Sequence, residues 1–449
     1  MSLTNLRKFL AGDWFIFLLF AFSVVVIITN QFIIGSIIFG MIASLVLFVS
    51  DDILSFLSPV FFLMGFVIQA FDPKDEYMPY FPLIIIPIAA VIFHIVYYRK
   101  GRDGFKMPDR MPLLLPMILT SITCFTGGIG TLKHESYFSS TSLVYMFGLG
   151  FMEVIIYIYL HNHIGPGLNY TDDIGTRFAK LFTFLSLFLF VAAVEGYIEH
   201  WDSFIVNPGI LYFQWRNNAS TILMMAMPFS IYLAFRKFPY IAVTALSYVT
   251  IVLLGSRGGL VFGGIEFIAL IIYFIVKDKE HRKIMYAIIA IVVVALAVLS
   301  PKIISFMSYT IHRFTAADQN VIRLEQWKRS IVDFRHNPIF GMGLGYMGNR
   351  DVHPSKVASL CWYHSSIPQV IGSFGLVGIL TYGYQFICRV KFLNACKAES
   401  MGRAVIGSFI GLELMSLVNP GIFTLIFPLI LNVELVILEK YFYSDKSGV

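Results

Sequence analysis

The stretch PKIISFMSYTIHRFTAADQNVIRLEQWKRSIVDFRHNPIFGMGLGYMGNRDVHPSKVASLCWYHSS, residues 301–366, decides how this chain folds, because here the chain stops being apolar. Runs of membrane-spanning character precede it almost without interruption. After it the sequence returns at once to IPQVIGSFGLVGILTYGY (367–384). A segment of this length with no span of its own is either functional or disordered. Aromatic and aliphatic residues recur throughout it, which argues for order. We read 301–366 as a large extracytoplasmic loop within a single integral membrane domain, 1–449, and as the part that carries the chemistry.

The composition agrees. Of 449 residues, 57% are hydrophobic and 13% charged, with a mean hydropathy of +0.77; a soluble protein would be about 25% charged. The fold class is therefore an all-α polytopic membrane protein. Phenylalanine occurs 44 times, and many copies are expected to face lipid. The net charge of +6 is not a nucleic-acid signal. Its basic residues sit mainly in short loops between apolar runs, where they set topology. The four cysteines have no metal or redox spacing, and only Cys361 is expected to face outward, so no structural disulfide is expected. Arg7 and Lys8 precede a long apolar run that lacks a small-x-small cleavage motif, which reads as an uncleaved first helix.

At about 20 residues per crossing, apolar runs fall near 14–30, 32–49, 53–71, 80–98, 112–132, 140–161, 178–198, 218–236, 238–254, 259–277, 283–300, 367–387, 403–418 and 421–441. That predicts about 14 transmembrane helices (12–14), with short amphipathic helices in the large loop. With both termini cytoplasmic, the loops at 97–110, 235–239, 277–283 and 388–403 all fall inside and all are basic. Those at 72–79 and 133–138 fall outside and are not.

The same alternation places EGYIEHWDSFIVNPGILYFQWRNNAS (195–220), Ser256-Arg257-Gly258-Gly259 and the large loop outside. Within the loop, Leu324, Trp327, Ile331 and Phe334 form one apolar stripe, predicting a helix over 319–335 along the membrane interface. Asp318 is its expected N-cap and Pro338 lies beyond its end. Arg323, one turn before Trp327, is placed to point inward beside it. Gly341, Gly343 and Gly345 supply tight turns. Tyr363 and His364 stand at the mouth of the next span.

Four of these pieces resemble the O-antigen polymerase and O-antigen ligase family of bacterial envelope glycosyltransferases. They are WRNNASTILMMAMPFSIYLAF (215–235), LLGSRGGLVFG (253–263), RLEQWKRSIVDFRHNPIFGMGLGYM (323–347) and YHSSIPQVIGSFGLVGILTYGY (363–384), in family order. Two positions depart from the pattern: Ser365 stands where the family usually has Asn, and Asn217-Asn218 lacks the family's Pro. The resemblance implies a GT-C-like membrane glycosyltransferase architecture. It also implies an inverting, metal-independent transfer, with no cofactor, at the outer face of a bacterial cytoplasmic (inner) membrane. The donor would be an undecaprenyl-diphosphate-linked oligosaccharide. The acceptor would be a second lipid-linked repeat unit for a polymerase, or a lipid A core for a ligase. Membrane lipids and a chain-length regulator are the other candidate partners.

Arginine suits a diphosphate, because its planar fork gives bidentate hydrogen bonds and keeps its charge. Arg216, Arg257 and Arg323 are the diphosphate-binding candidates. Arg257 is also a catalytic one, since Gly258 and Gly259 let phosphate approach the backbone and charge on the leaving group can be stabilised there. His364 is the candidate general base. Glu195, Trp327 and Tyr363 are candidate substrate contacts, with Trp215 and Trp362 further stacking surfaces. Each has a purely structural reading too. Arg216 could anchor at the interface beside Trp215, Arg257 could snorkel, Arg323 could sit on a solvated helix face, and His364 could cap a helix. Intramembrane Glu153, Glu195, Glu266 and Glu413 are expected to face the bundle interior. A transporter or lipid-linked oligosaccharide flippase is the competing class. Its usual marks, internal repeats and midplane binding groups, are not seen.

Overall fold

The computed structural model describes residues 2–67, 77–99, 111–129, 143, 145–164, 173–206, 216–315, 317–344 and 363–444. Trp215, Gly345, Cys361 and Trp362 lie outside these. Among the described residues every regular element is helical. In chain order they are α1 Leu3–Leu10, α2 Asp13–Ile28, α3 Phe32–Val49, α4 Ile53–Val67, α5 Ile85–Arg99, α6 Leu114–Thr126, α7 Met152–His163, α8 Ile174–Glu199 and α9 Trp201–Val206. There follow α10 Arg216–Ala234, α11 Ile241–Leu254, α12 Gly264–Lys277, α13 Arg282–Thr315, α14 Ala317–His336, α15 Ser366–Ala395, α16 Ser400–Ser416 and α17 Ile426–Ser444.

Every apolar run read from the sequence contains a helix. Among the described residues, five helical runs are long and apolar enough to cross a membrane: Phe32–Val49, Pro79–Tyr98, Ile174–Glu199, Gly259–Lys277 and Ser366–Ala395. The α1–α2 pair, bent by 63°, makes a sixth if it is one span. The predicted loop helix is present as α14, so Asp318 falls in its first turn rather than at its cap. The helix expected to end near Ser300 instead runs to Thr315, with Pro301 inside it.

The chain forms two units. The first comprises residues 1–105 and 163–315. Its centre is α8, which packs on α2, α4, α10 and α11. All of α10 from Asn218 to Ala234 is buried, as a helix apolar on every side must be. Phenylalanine packs more of the interior than expected. Phe61, Phe178, Phe182 and Phe229 meet with centroids 4.7 to 6.3 Å apart. Lipid tails are as apolar as these rings, so packing geometry must hold such helices together.

The second unit comprises residues 106–162 and 316–449, with α15 packed against α6 and α14. The buried Arg389 of α15 lies 3.3 Å from Glu153, which accounts for one expected intramembrane acid. Glu413 lines a groove between α15 and α16 with a volume of about 780 Å³. In the first unit Glu266 is buried as well.

α15 is not one continuous helix. Gly375 has φ 58° and ψ −146°, and the helix opens there. In an unbroken helix the amides of Leu376 and Val377 would bond the carbonyls of Gly372 and Ser373. Here the loop after α14 enters between them. Leu376 donates to Pro338 O (2.8 Å) and Val377 to Ile339 O (3.0 Å). Met342 donates to Gly372 O (2.9 Å) and Gly343 to Ser373 O (2.8 Å). Two helical bonds are replaced by four loop bonds, so the broken backbone stays satisfied. Only glycine fits both sides of this contact. A Cβ on Gly341 would lie 2.4 Å from Phe374 N, and one on Gly375 would lie 2.6 Å from Pro338 O.

Candidate functional site

In the first unit, the start of α10 and the turn after α11 are joined. Gly255 ends α11 in the left-handed region, φ 61°, the usual glycine C-cap. Ser256 then caps the next helix. Its hydroxyl accepts the Gly259 amide (3.2 Å) and donates to Asn217 Oδ1 (2.8 Å). Gly259 lies against Ser220, where an added Cβ would come within 2.8 Å of the serine Cβ. These contacts set two helix starts side by side, with Arg216 first in α10 and Arg257 directly after the cap. Both arginines are half-buried. Helix N-termini present amides and a partial positive charge, so each arginine stands where the backbone already favours an anion. Tyr197 of α8 ties a third helix to this end by donating to Leu253 O (2.6 Å). Glu195, half-buried, is in the last two turns of the same helix.

In the second unit, α14 is turned opposite to a soluble amphipathic helix. Leu324 is 57% exposed, Trp327 38% and Ile331 45%. On the other face Arg329, Ser330 and Asp333 are buried, and α14 packs on α15. Such a helix offers its apolar stripe outward, as one lying in a membrane interface does. Asp333 Oδ2 lies 3.4 Å from Arg329 Nε, one turn back. It also accepts the hydroxyl of Tyr363.

Tyr363, a candidate sugar contact, is 2% exposed, with its ring against Gly372. Its amide donates to Gln369 Oε1 (3.2 Å), and Gln369 Nε2 donates on to Ser373 Oγ (2.9 Å). On the other side of His364, the Ser365 carbonyl accepts the Gln369 amide (3.1 Å) and Ser366 donates to Pro420 O (3.0 Å). His364 is therefore fixed at both neighbours while the residue itself reaches the surface. Its φ is +50°, a region that costs a residue with a Cβ about 1–2 kcal/mol. The bonds at Tyr363 and Ser366 hold the segment in that conformation. Protein packed around the imidazole, and secondly the nearby Arg323 charge, hold the His364 pKa below its ordinary value.

Arg216 and Arg257 thus come together in the first unit, at the end where Glu195 lies. Arg323 and His364 come together in the second. Trp327 is on the outward stripe and Tyr363 is enclosed. Arg329, Asp333 and Gln369 were not singled out by the sequence reading. Their signal was available as Arg329 and Asp333 at i and i+4 opposite the apolar stripe, a polar pair that needs a buried partner only if the stripe faces lipid.

Residues 242–383 match the family model of O-antigen ligase. The matched span holds Arg257, Arg323, Tyr363 and His364, and almost all of three of the four motifs that carry the resemblance. Arg216 and Glu195 precede it. No curated protein matches the chain.

Proposed function

The chain carries an O-antigen ligase family domain, and from that premise we propose that it polymerises a surface polysaccharide from undecaprenyl-diphosphate-linked repeat units. Family membership supports a glycosyltransferase-type enzyme embedded in a membrane. The finer reading assigns a step to each group. Arg216 and Arg257 hold the donor diphosphate at the outer leaflet of the cytoplasmic membrane, and Arg323 adds charge near the base. The groove between α15 and α16, with Phe386, Val390, Phe409 and Leu414 on its walls, takes part of the polyprenyl chain. His364, neutral because its pKa is low, accepts the proton of the acceptor hydroxyl. The hydroxyl oxygen bonds the anomeric carbon on the side away from the diphosphate. The carbon–oxygen bond to the diphosphate breaks, and undecaprenyl diphosphate leaves with the electron pair, inverting the linkage.

The observation that carries this reading is His364 itself, a surface histidine in left-handed backbone, anchored on both sides and close to Arg323. Functional residues are where such strain is tolerated. The test uses purified protein in detergent with EDTA and a synthetic undecaprenyl-diphosphate repeat unit. Wild type yields a ladder of products, while His364→Ala and Arg257→Ala do not. A full-strength ladder from His364→Ala removes the base. The matched family is described as a ligase, which favours a second acceptor, a lipid A core. Product only when that acceptor is added would reassign the chain to ligation.

A further inference from the structure

We infer that Asp333 is a positioning residue for His364, acting through the Tyr363 hydroxyl, with Arg329 beside the Asp333 carboxylate on the same helix. The inference rests on His364 being the base. It stands on geometry. Asp333 and Arg329 are a buried charged pair on the face of α14 that packs against α15. Burying such a pair is costly, and apolar residues of the same size would often serve stability better. Here Asp333 accepts a hydrogen bond from outside its own helix, and it comes from the residue next to His364. Gly372 leaves room for the Tyr363 ring to reach the carboxylate; a Cβ there would lie 2.7 Å from the ring carbon that bears the hydroxyl. The ring, hydroxyl and amide of Tyr363 are thus all held, directly before the left-handed His364.

Asp333 and Tyr363 need not touch substrate for this role. α14 would present the base through its buried face while its apolar stripe rests on the bilayer. The charged groups around His364 on α14 are Arg323, which opposes its protonation, and the Arg329–Asp333 pair behind Tyr363.

The experiment uses the full chain in detergent with the synthetic lipid-linked repeat unit. Initial rates are measured against substrate and against pH for wild type, Tyr363→Phe, Asp333→Asn, Asp333→Ala and His364→Ala. Tyr363→Phe keeps the ring and loses the anchor. Its kcat is expected to fall about 10- to 100-fold, since small misplacement of a reacting group has effects of that order, with KM nearly unchanged. The acid limb of its rate profile should move up in pH, because an imidazole no longer held against the protein around it loses part of what lowers its pKa. Asp333→Asn still accepts from Tyr363 and should retain more activity than Asp333→Ala. Tyr363→Phe with wild-type kcat and pH limb, beside an inactive His364→Ala, overturns the inference and leaves the base standing. Loss of kcat with an unmoved pH limb and an equal loss of melting temperature reduces Asp333 to a structural role and overturns it too. A fully active His364→Ala brings down the parent reading instead.

Discussion

The helix break at Gly255–Arg257 and the helix break at Gly375 solve one problem in opposite ways. Both interrupt apolar helices that have little water to satisfy an opened backbone. At the first, the repair is mostly local. A left-handed glycine ends one helix, Ser256 caps the next, and one side chain, Asn217, comes from elsewhere. At the second, the repair is borrowed. Two carbonyls and two amides from the loop 338–343 complete the broken ladder of α15. A local repair leaves the following residue, Arg257, half-buried at a helix start. A borrowed repair fastens the loop after α14 to α15, and so fixes α14, Tyr363 and His364 within one unit. The first break presents a charge; the second builds a frame.

The largest expected effect tests that difference directly. Gly341→Ala places a methyl 2.4 Å from backbone atoms of Ser373 and Phe374, at φ +64°. Backbone cannot yield as a side chain can. A cost of about 3 kcal/mol or more is expected, with loss of the monodisperse peak in detergent chromatography. Gly255→Ala meets the left-handed cost, about 1–2 kcal/mol, and should stay folded with a lower melting temperature. Equal outcomes for the two alanines would show that the breaks are not built differently.

Much of this was legible before the structure. The stripe Leu324–Trp327–Ile331 located α14 to within two residues, because a 3.6-residue period survives any environment. The same period could not say which face meets protein. In water the apolar face would turn inward; beside a bilayer it turns out, and Arg329 and Asp333 take the inside. The break in α15 was hidden for a related reason. IPQVIGSFGLVGILTYGY reads as one apolar run, and nothing local distinguishes Gly375 from Gly372 or Gly378. What opens the helix is a loop more than 30 residues earlier in the chain. Pro301 likewise reads as a stop, yet α13 continues through it. Of the Gly341, Gly343 and Gly345 series read as turn chemistry, Gly341 and Gly343 are left-handed and Gly345 lies outside the described residues; the partner of the first two could be found only in three dimensions.

A smaller effect sharpens the local side of the comparison. Ser256→Ala removes both the cap on the Gly259 amide and the bond to Asn217. Loss of a cap costs about 1 kcal/mol, too little to unfold the protein. The start of the helix that carries Arg257 loses its tether to α10, so donor binding should suffer before chemistry does. KM for the lipid-linked unit is expected to rise severalfold, with kcat changed less. A fall in kcat at constant KM would mean that Arg257 acts only on the transition state and that its placement does not depend on the cap.

The smallest effect belongs to the frame. His364 is held below its ordinary pKa first by the protein packed around it and second by Arg323. A general base works when neutral, so the rate falls as pH drops through the pKa, and a depressed pKa keeps the enzyme active to lower pH. Arg323→Gln removes a positive charge that opposes protonation. The pKa should rise, and the acid limb should move upward by only part of the depression, because packing is the larger cause and remains. If Arg323 serves the donor diphosphate as well, KM rises in the same variant. A limb that stays still while KM rises would assign Arg323 to the donor alone. A limb that moves downward would mean that another charge controls His364, and that the frame built around Gly375 does not set the pKa of the base.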